Sequence, residues 1–346
     1  MRFCIGAGFT QEFQSFTHSN TSNVKLYQMG PGFNLAMADM YFDVQLADGI
    51  CLDLTTYLST HHHNESWVKG GYIQFDKLPF KGQFWSDLMK YATIKIVHME
   101  INYGDQHFRR SDAGNTIQNS FSEGYIADAY STEIGGEVYL RKGPLFGMIG
   151  ITNGTINSSI AKQGEDVAQD SSKKAAVYFK GGVDQTIGKL RVRLTGSAYL
   201  NNKSQRSVLY GGDRGGSWYF AVMNPDGDNL TINAFSGRFN PNFSRSVQSY
   251  MANAFIKYAG LELFGTYETS NGSSYTASDP TRRTMNQKAI DVIYRLGKEE
   301  NLYGAIRYNV VDAEMPGFSE RVKIDRTAIT GGWFLTRNIL LKAEYV

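Results

Sequence analysis

Long stretches of the chain alternate between apolar and polar residues with a period of two. Within residues 36–46, Met40, Phe42 and Val44 share one phase, whereas Asp39 and Asp43 occupy the other. Successive side chains of a β-strand point to opposite faces, so this pattern predicts a strand with one apolar and one polar face. The alternation resumes over 50–59 after a turn at 47–49, which predicts a hairpin of two long strands.

Fifteen segments of this kind follow one another along the chain. The predicted strands are 2–17, 33–46, 50–59, 67–77, 92–103, 128–141, 144–153, 174–186, 189–200, 248–258, 261–269, 286–296, 301–311, 324–335 and 339–346. Most span roughly 10–13 residues, whereas strands in soluble sheets average about 5–6 and a tilted strand needs about 9–11 to cross a bilayer. Their length therefore predicts strands that span a membrane.

The connections between these strands alternate in length. Short turns are predicted at 47–49, 142–143, 187–188, 259–260, 297–300 and 336–338, and long polar loops separate them. Outer-membrane barrels are built in this way, with short turns on one side and long loops on the other. One exception, 78–91, falls where a short turn is expected, and we predict a helical turn there.

These features predict one all-β domain over residues 1–346, an antiparallel transmembrane β-barrel. Its long loops 104–127, 154–173 and 201–247 are expected on the extracellular or luminal side. Bacterial single-chain barrels close with an even number of strands, and their termini normally lie on the short-turn side. The fifteenth segment instead ends at Val346 on the long-loop side. We therefore expect about sixteen strands, with the closing strand missing from the C-terminal end of this sequence.

The composition excludes several other classes of protein. The 35 Lys and Arg residues nearly balance the 33 Asp and Glu residues, which argues against a nucleic-acid partner. No apolar run reaches the roughly 18 residues of a membrane helix. The mean hydropathy of −0.34 is what a barrel wall with one apolar and one polar face produces. A soluble β-sandwich or propeller is disfavoured because its strands are shorter and its two ends have similar loops.

No catalytic arrangement stands out. We find no Ser/His/Asp or Cys/His set in a suitable context, and GGDRGG at 211–216 is a glycine-rich loop. His61–His63 fall in a loop, and three adjacent side chains cannot converge on one metal from an ordered strand, although a flexible loop could bind one weakly. Cys4 and Cys51 are predicted to be free thiols, because another strand separates them. We therefore expect no enzyme activity, no cofactor and no metal site.

The segment DQHFRRSD at 105–112 opens a long loop and carries two candidate constriction residues, Arg109 and Arg110. If the loop folds into the lumen, this pair of cations lowers the entry barrier for anions. Alternatively, the two arginines pair with Asp105 and Asp112 and hold the loop to the wall. The two interpretations are compatible.

The polar face of the predicted strands supplies the other pore-lining candidates. They are Arg191, Arg193, Lys257, Arg307, Arg326 and Glu137, and Lys180 and Lys288 are expected on the same face. A water-filled pore needs a polar wall, and mixed signs alone reveal little about selectivity. The net charge of +2 favours near-neutral to slightly anion-preferring conduction. Ion pairs between neighbouring strands are the alternative role for each of these residues.

Two further sequence features bear on the lumen. Segment 92–103 is irregular, because Ile94 and Ile96 share one phase whereas Met99 and Ile101 share the other, and this predicts a β-bulge near Ile96. Loop 201–247 is too rich in aromatic residues for a disordered segment. We expect it to fold inward as a partial plug, to pack on another subunit or protein, or to pack on itself.

Three segments resemble a known family. They are NYGDQHFRRSDAGN at 102–115, DAYSTEIGGEVYLR at 128–141 and KAIDVIYRLGKEENLYGAIRYNVV at 288–311. The chain is similar to outer-membrane porins of the Bacteroidota, near the phosphate-selective porin O/P-like group, over nearly its whole length. The resemblance implies a sixteen-strand general or anion-preferring diffusion pore, often trimeric, without catalytic residues.

The function expected from the sequence is passive diffusion of small hydrophilic solutes or ions through a bacterial outer membrane. Lipid and lipopolysaccharide are the expected surroundings, and a homotrimer or association with other outer-membrane proteins is the expected assembly. The alternative is a barrel that serves as a scaffold within a larger outer-membrane export or surface complex.

Overall fold

The computed structural model describes residues 2–34, 36–59, 65–110, 113–156, 174–204, 207–211, 218–230, 237–274 and 281–346. The strands in these residues are β1 Arg2–Thr10, β2 Phe13–Gln14, β3 Gly32–Phe33, β4 Met37–Ala47, β5 Ile50–Ser59, β6 Glu65–Phe75, β7 Ala92–Glu100, β8 Thr132–Lys142, β9 Leu145–Thr152, β10 Ala176–Ile187, β11 Leu190–Asn201, β12 Ser246–Tyr258, β13 Leu261–Ser273, β14 Arg283–Leu296, β15 Leu302–Ala313, β16 Val322–Thr336 and β17 Ile339–Tyr345. Helix α1 spans Gln83–Leu88, and two 3-10 turns span Gln106–Arg109 and Ala113–Gln118.

Fifteen of these strands form a single antiparallel sheet. It runs in chain order from β1 through β4 to β17, and each strand pairs with the next one in that order. The remaining two, β2 and β3, pair with each other and lie outside the sheet. The predicted antiparallel barrel fold is confirmed. The predicted first strand, 2–17, is too long, because the sheet strand ends at Thr10 and only the isolated β2 follows it.

The sheet curls so far that its first and last strands, β1 and β17, both contact the same residue, Thr116. Thr116, in the second 3-10 turn, forms a hydroxyl hydrogen bond of 2.5 Å with Thr10 near the end of β1. The carbonyl oxygen of Thr116 accepts a hydrogen bond of 2.9 Å from the ammonium of Lys342 in β17. Strand twist and tilt generate this curvature in barrels. A sixteenth strand stays a prediction.

The two faces of the sheet are the reverse of those of a soluble protein. Ile290 in β14 is 52% exposed, whereas the next residue, Asp291, is fully buried. The same alternation places Leu194 outward in β11 and Thr195 inward. An apolar exterior and a polar interior are the arrangement of a barrel wall that faces lipid outside and water or loops inside. No helix in the described part of the chain is long and apolar enough to cross a membrane.

Two local predictions have different outcomes. The helical turn predicted within 78–91 is confirmed as α1. The bulge predicted near Ile96 is wrong, because β7 pairs with β6 and β8 through Ile96 and Val97 without a register shift. The irregularity is a backbone distortion at Val97, whose φ of 103° is strained for a β-branched residue.

The described part of the segment between β7 and β8, residues 101–110 and 113–131, folds into the curled sheet and is here called the inward loop. Its contacts include Lys180 in β10, Asn253 in β12, Asn309 in β15 and Lys342 in β17. The segment between β11 and β12, residues 202–245, is here called the second loop, and its described part packs against the inward loop. These two loops decide how much of the interior stays open.

Candidate functional site

Amide side chains on the inner face of the sheet hold the backbone of the inward loop. The main-chain N–H of Asp105 donates to Asn253 Oδ1 at 2.8 Å, and that of Ile126 donates to Asn309 Oδ1 at 2.7 Å. Gln287 both accepts from the N–H of Ala127 at 2.9 Å and donates to its carbonyl at 2.8 Å. A buried backbone group without a partner is costly, so these side chains replace the strand partner that a loop lacks.

A buried ion pair fastens the middle of the inward loop. Arg307 in β15 donates to both oxygens of Asp291 in β14, at 2.7 and 2.9 Å. The same guanidinium donates to the carbonyl of Glu123 at 2.9 Å, and Tyr125 donates its hydroxyl to Asp291 at 2.8 Å. Arg307 also lies 4.1 Å from the ring centroid of Phe121. Both charges are therefore satisfied, and they orient residues 121–125.

The structure places Arg109 and Arg110 in ion pairs. Arg109 lies 3.5 Å from Asp291 and 3.7 Å from Glu262, both on the inner face. Arg110 is buried and donates to Asp128 of the same loop at 2.9 and 2.8 Å. Arg109 therefore joins the loop to the wall, whereas Arg110 joins two parts of the loop. Asp291, Glu262 and Asp128 are not the acids that the sequence suggested.

One of the suggested acids, Asp105, has other partners. Asp105 accepts from Arg193 at 2.7 Å and lies 3.1 Å from Lys180. Asp112 lies outside the described residues. Burial by itself raises the pKa of Asp105, but Arg193 and Lys180 outweigh it and lower the pKa to about 2.

The other five candidates also lie on the inner face. Arg191 pairs with Asp184 at 2.8 Å, and Lys257 pairs with Glu300 at 2.6 Å. Arg326 donates to the backbone carbonyls of Gly124 and Gly237. Arg193 pairs with Asp105 as described above. Glu137 is buried and accepts from Tyr178 at 2.7 Å, from the hydroxyl of Tyr139 and from the N–H of Asn102 at 3.2 Å.

The prediction that Lys288 lies on the inner face is wrong. Lys288 is exposed on the outer face of β14, in the same phase as Ile290, and its ammonium lies 5.9 Å from the ring centroid of Tyr267. Strand parity, rather than polarity, decides the face. A lysine near the long-loop end of a strand can extend its ammonium to the interface, so this position tolerates the charge.

Two carboxylates join the second loop to the inward loop. Glu268 in β13 accepts from Tyr103 at 3.1 Å and from Tyr210 of the second loop at 2.6 Å. Glu123 of the inward loop accepts from the backbone N–H groups of Trp218 and Tyr219, the latter at 3.0 Å. The described part of loop 201–247 therefore packs inward against the wall and the inward loop.

A cavity of about 590 Å³ stays open between the inward loop and the inner faces of β6–β11. Its lining includes Tyr72, Lys95, Phe108, Tyr139, Arg141 and Arg193. Sequence reasoning missed Lys95 because the alternation of its strand is irregular at Ile96. Lys95 directly opposes Glu137 in β8, and the polar phase of that regular neighbouring strand was the available signal.

Glu123 makes the contact between the two loops dependent on pH. Burial disfavours its charged form and raises its pKa to about 7, although Arg326 and the amides of Trp218 and Tyr219 oppose the shift. Between these two pH values the folded state therefore holds a proton that the unfolded chain, in which the ordinary pKa of Glu123 is 4.5, has already released. The contribution of Glu123 to stability is therefore complete below about pH 4.5 and is lost as the pH rises through about 7.

We expect the free energy of unfolding to fall by about 2 kcal/mol between pH 4.5 and 7 from this group. Glu123→Gln retains an acceptor of the same size and should remove that decrease. Urea unfolding in detergent micelles at pH 4.5 and 7.5 measures the difference. Parallel pH dependence in the wild type and the variant would contradict the assignment to Glu123.

The histidine run and the two cysteines are the remaining features that the sequence singled out. His61–His63 lie outside the described residues. Among the residues that the structure does describe, no group of three His, Cys, Asp or Glu side chains is placed to hold a metal ion. Cys4 and Cys51 are free thiols, as predicted.

Comparisons with known proteins bear on the fold. No protein-family model matches the chain. OprB of Pseudomonas putida is similar in structure with a TM-score of 0.55 and 11% identity, over 99% of this chain and 89% of that one. An anion-selective porin from Comamonas acidovorans has a TM-score of 0.52 and 8% identity, over 97% and 85%.

The outer membrane channel DcaP of Acinetobacter baumannii is also similar, with a TM-score of 0.52 and 9% identity, over 99% of this chain and 90% of that one. At such low identity, a structural likeness shows the fold alone. These similar structures cover nearly the whole chain and agree with its curled antiparallel sheet. The chain has the antiparallel β-barrel fold of outer-membrane porins.

Proposed function

We propose that the protein is a bacterial outer-membrane porin through which small hydrophilic solutes diffuse passively. The observation that carries this proposal is the cavity of about 590 Å³ beside the inward loop, within a sheet whose inner face is polar and whose outer face is apolar. A polar wall around free volume holds water and lets solutes pass without a chemical step. The similar solved structures named as porins or channels support the same role. The relationship to Bacteroidota porins stays a prediction.

We propose a mild preference for anions. Lys95, Arg110, Arg141, Lys180 and Arg193 line the cavity, against the acidic residues Glu100 and Glu137. Fixed cations around a narrow aqueous space lower the barrier for anion entry. Ion pairing neutralises three of the five cations, so the preference is modest.

Planar-bilayer recording in a potassium chloride gradient tests both statements. We expect a conducting pore whose reversal potential is shifted toward the equilibrium potential of chloride. The double variant Lys95→Gln/Arg141→Gln should remove at least half of that potential, because neither cation has an ion-pair partner among the described residues. Arg191→Gln, whose guanidinium is paired at the rim, is the matched control. A reversal potential unchanged by the double variant would show that Lys95 and Arg141 do not determine the ion selectivity.

We propose that the outer face contacts outer-membrane lipid. Tyr258, Tyr294 and Trp333 are exposed on this face near the short-turn ends of β12, β14 and β16. Amphipathic rings at headgroup depth form the girdles of membrane barrels. Lipopolysaccharide at the long-loop end and a homotrimer are further parts of the proposal. Chemical cross-linking in native membranes measures the assembly.

Quenching by lipids with brominated acyl chains tests this membrane placement. Trp333 is 50% exposed on the outer face, whereas Trp218 is buried between the second loop and the wall. We expect brominated lipid to quench a large part of the tryptophan fluorescence, and Trp333→Phe to remove at least about a third of that quenching. Trp218→Phe should leave the quenching unchanged. Equal effects of the two variants would contradict a lipid-facing Trp333.

The alternative function is a barrel that acts as a scaffold in a larger outer-membrane complex, with conduction blocked. One observation favours it: the two loops cover the inner faces of Glu268, Gln287 and Asn309 so completely that these side chains are fully buried. The cavity of about 590 Å³ lies on the other side of the interior, beside β6–β11. Absence of conductance in the bilayer experiment, with the barrel folded, would favour the scaffold.

A further inference from the structure

Lys95 occupies an unusual position inside the barrel. It projects from β7 on the inner face and lines the cavity beside the inward loop. Its ammonium lies 4.3 Å from the ring centroid of Tyr72 in β6 and 5.7 Å from that of Tyr139 in β8. Two rings on neighbouring strands therefore flank the charge and hold it through cation–π contacts.

Two acids near Lys95, Glu137 and Asp53, accept hydrogen bonds from other groups. Glu137, directly opposite on β8, accepts hydrogen bonds from Tyr178, Tyr139 and the backbone of Asn102. Asp53 in β5 accepts from the hydroxyl of Tyr72 at 3.2 Å. Among the residues that the structure describes, none forms an ion pair with Lys95. Its ammonium is held in place without being neutralised at contact distance.

Three other cations of the cavity are neutralised. Lys180 and Arg193 share Asp105, and Arg110 is paired with Asp128. Arg141, at the short-turn end of β8, is exposed and has no ion-pair partner in the described part of the chain. Lys95 is therefore the cation that combines a fixed position inside the cavity with an available charge.

The rest of the cavity wall is aromatic. Phe108 of the inward loop, Tyr139 in β8 and Phe146 in β9 line it together with Tyr72. Flat ring faces favour other rings in stacked or edge contacts. A volume of about 590 Å³ lies within the usual range for sites of small organic molecules.

We propose that this cavity is a binding subsite for aromatic carboxylates on their way through the pore. The carboxylate pairs with the Lys95 ammonium, and the ring packs against Tyr139 and Phe108. This inference rests on the proposed diffusion function and names a solute class for it. Binding is reversible and involves no covalent step.

Block of the chloride current by benzoate tests the proposal. Acetate matches benzoate in charge and lacks the ring, and benzyl alcohol matches the ring and lacks the charge. We expect benzoate to reduce the wild-type current at concentrations at least tenfold lower than either probe. Lys95→Met should weaken the benzoate block at least tenfold, Lys95→Arg should retain most of it, and Tyr139→Leu should weaken it severalfold. Arg191→Met is the matched control for loss of a luminal cation.

The outcomes separate this inference from the proposed function. Equal block by benzoate and acetate, or an unchanged block in Lys95→Met, overturns the subsite and leaves the porin function standing. Absence of any chloride current in the wild type overturns the porin function. In that case, equilibrium dialysis of labelled benzoate against the folded protein still decides the site, because binding lost in Lys95→Met supports it and no binding overturns it.

Discussion

Replacing Arg307 with methionine should lower the free energy of unfolding by about 3–5 kcal/mol, because the change leaves Asp291 buried without its main counter-ion. The structure shows both side chains almost inaccessible to solvent and joined by two hydrogen bonds. The carbonyls of Glu123 and Gly124 lose a donor at the same time. Urea unfolding in detergent micelles, followed by tryptophan fluorescence, measures the loss.

Two controls determine whether the buried charge causes this effect. Arg191→Met removes a half-exposed guanidinium that pairs with Asp184, and exposed pairs contribute less than about 1 kcal/mol. A double-mutant cycle with Asp291→Asn isolates the coupling, because the double variant carries no unpaired carboxylate. If Arg307→Met and Arg191→Met have equal effects, the pair does not anchor the loop as described.

Replacing Lys342 with methionine should release residues 116–121 of the inward loop from β17. The Lys342 ammonium donates to the carbonyls of Thr116 at 2.9 Å, Asn119 at 3.2 Å and Phe121 at 2.8 Å. A hydrogen bond to a charged group contributes about 1.5–3 kcal/mol, so losing three of them should cost at least about 3 kcal/mol locally. Amide hydrogen exchange in this segment should accelerate by roughly 100-fold, and the bilayer current should become noisier.

Lys288→Met is the matched control for this prediction. Lys288 is exposed on the outer face, and its ammonium lies 5.9 Å from the ring centroid of Tyr267. Its removal should leave exchange in residues 116–121 unchanged. Slow exchange in that segment of the Lys342 variant would show that the rest of the wall holds the loop without the ammonium.

The sequence predicted the strands well because their alternation is a local property. The segment predicted at 189–200 is observed as Leu190–Asn201, and the one predicted at 261–269 continues to Ser273. Parity alone placed Arg191, Arg193 and Arg307 on the inner face. The prediction for Lys288 was wrong because it followed the polarity of the side chain, whereas Lys288 shares the outward phase of Ile290. Lys95 was missed because the alternation of its strand is irregular at Ile96.

The partners of the candidate residues were not predictable in this way. Arg109 meets Asp291, which lies 182 positions further along the chain, and Tyr103 meets Glu268 from the opposite side of the interior. No local pattern relates such residues. Their contacts depend on how far the sheet curls and on how deeply the inward loop enters it.

The sequence by itself determined the strand order, the inverted faces and the division into short turns and long loops, because strand periodicity and turn length are encoded over a few residues. Only the tertiary structure decided which charges neutralise one another and which remain available to a solute. Arg109 and Arg110 were conspicuous in the sequence, yet both are committed to acids that the curled sheet and the folded loop bring to them. Lys95 was inconspicuous, and it keeps its charge available because no acid among the described residues lies within ion-pair distance of its ammonium.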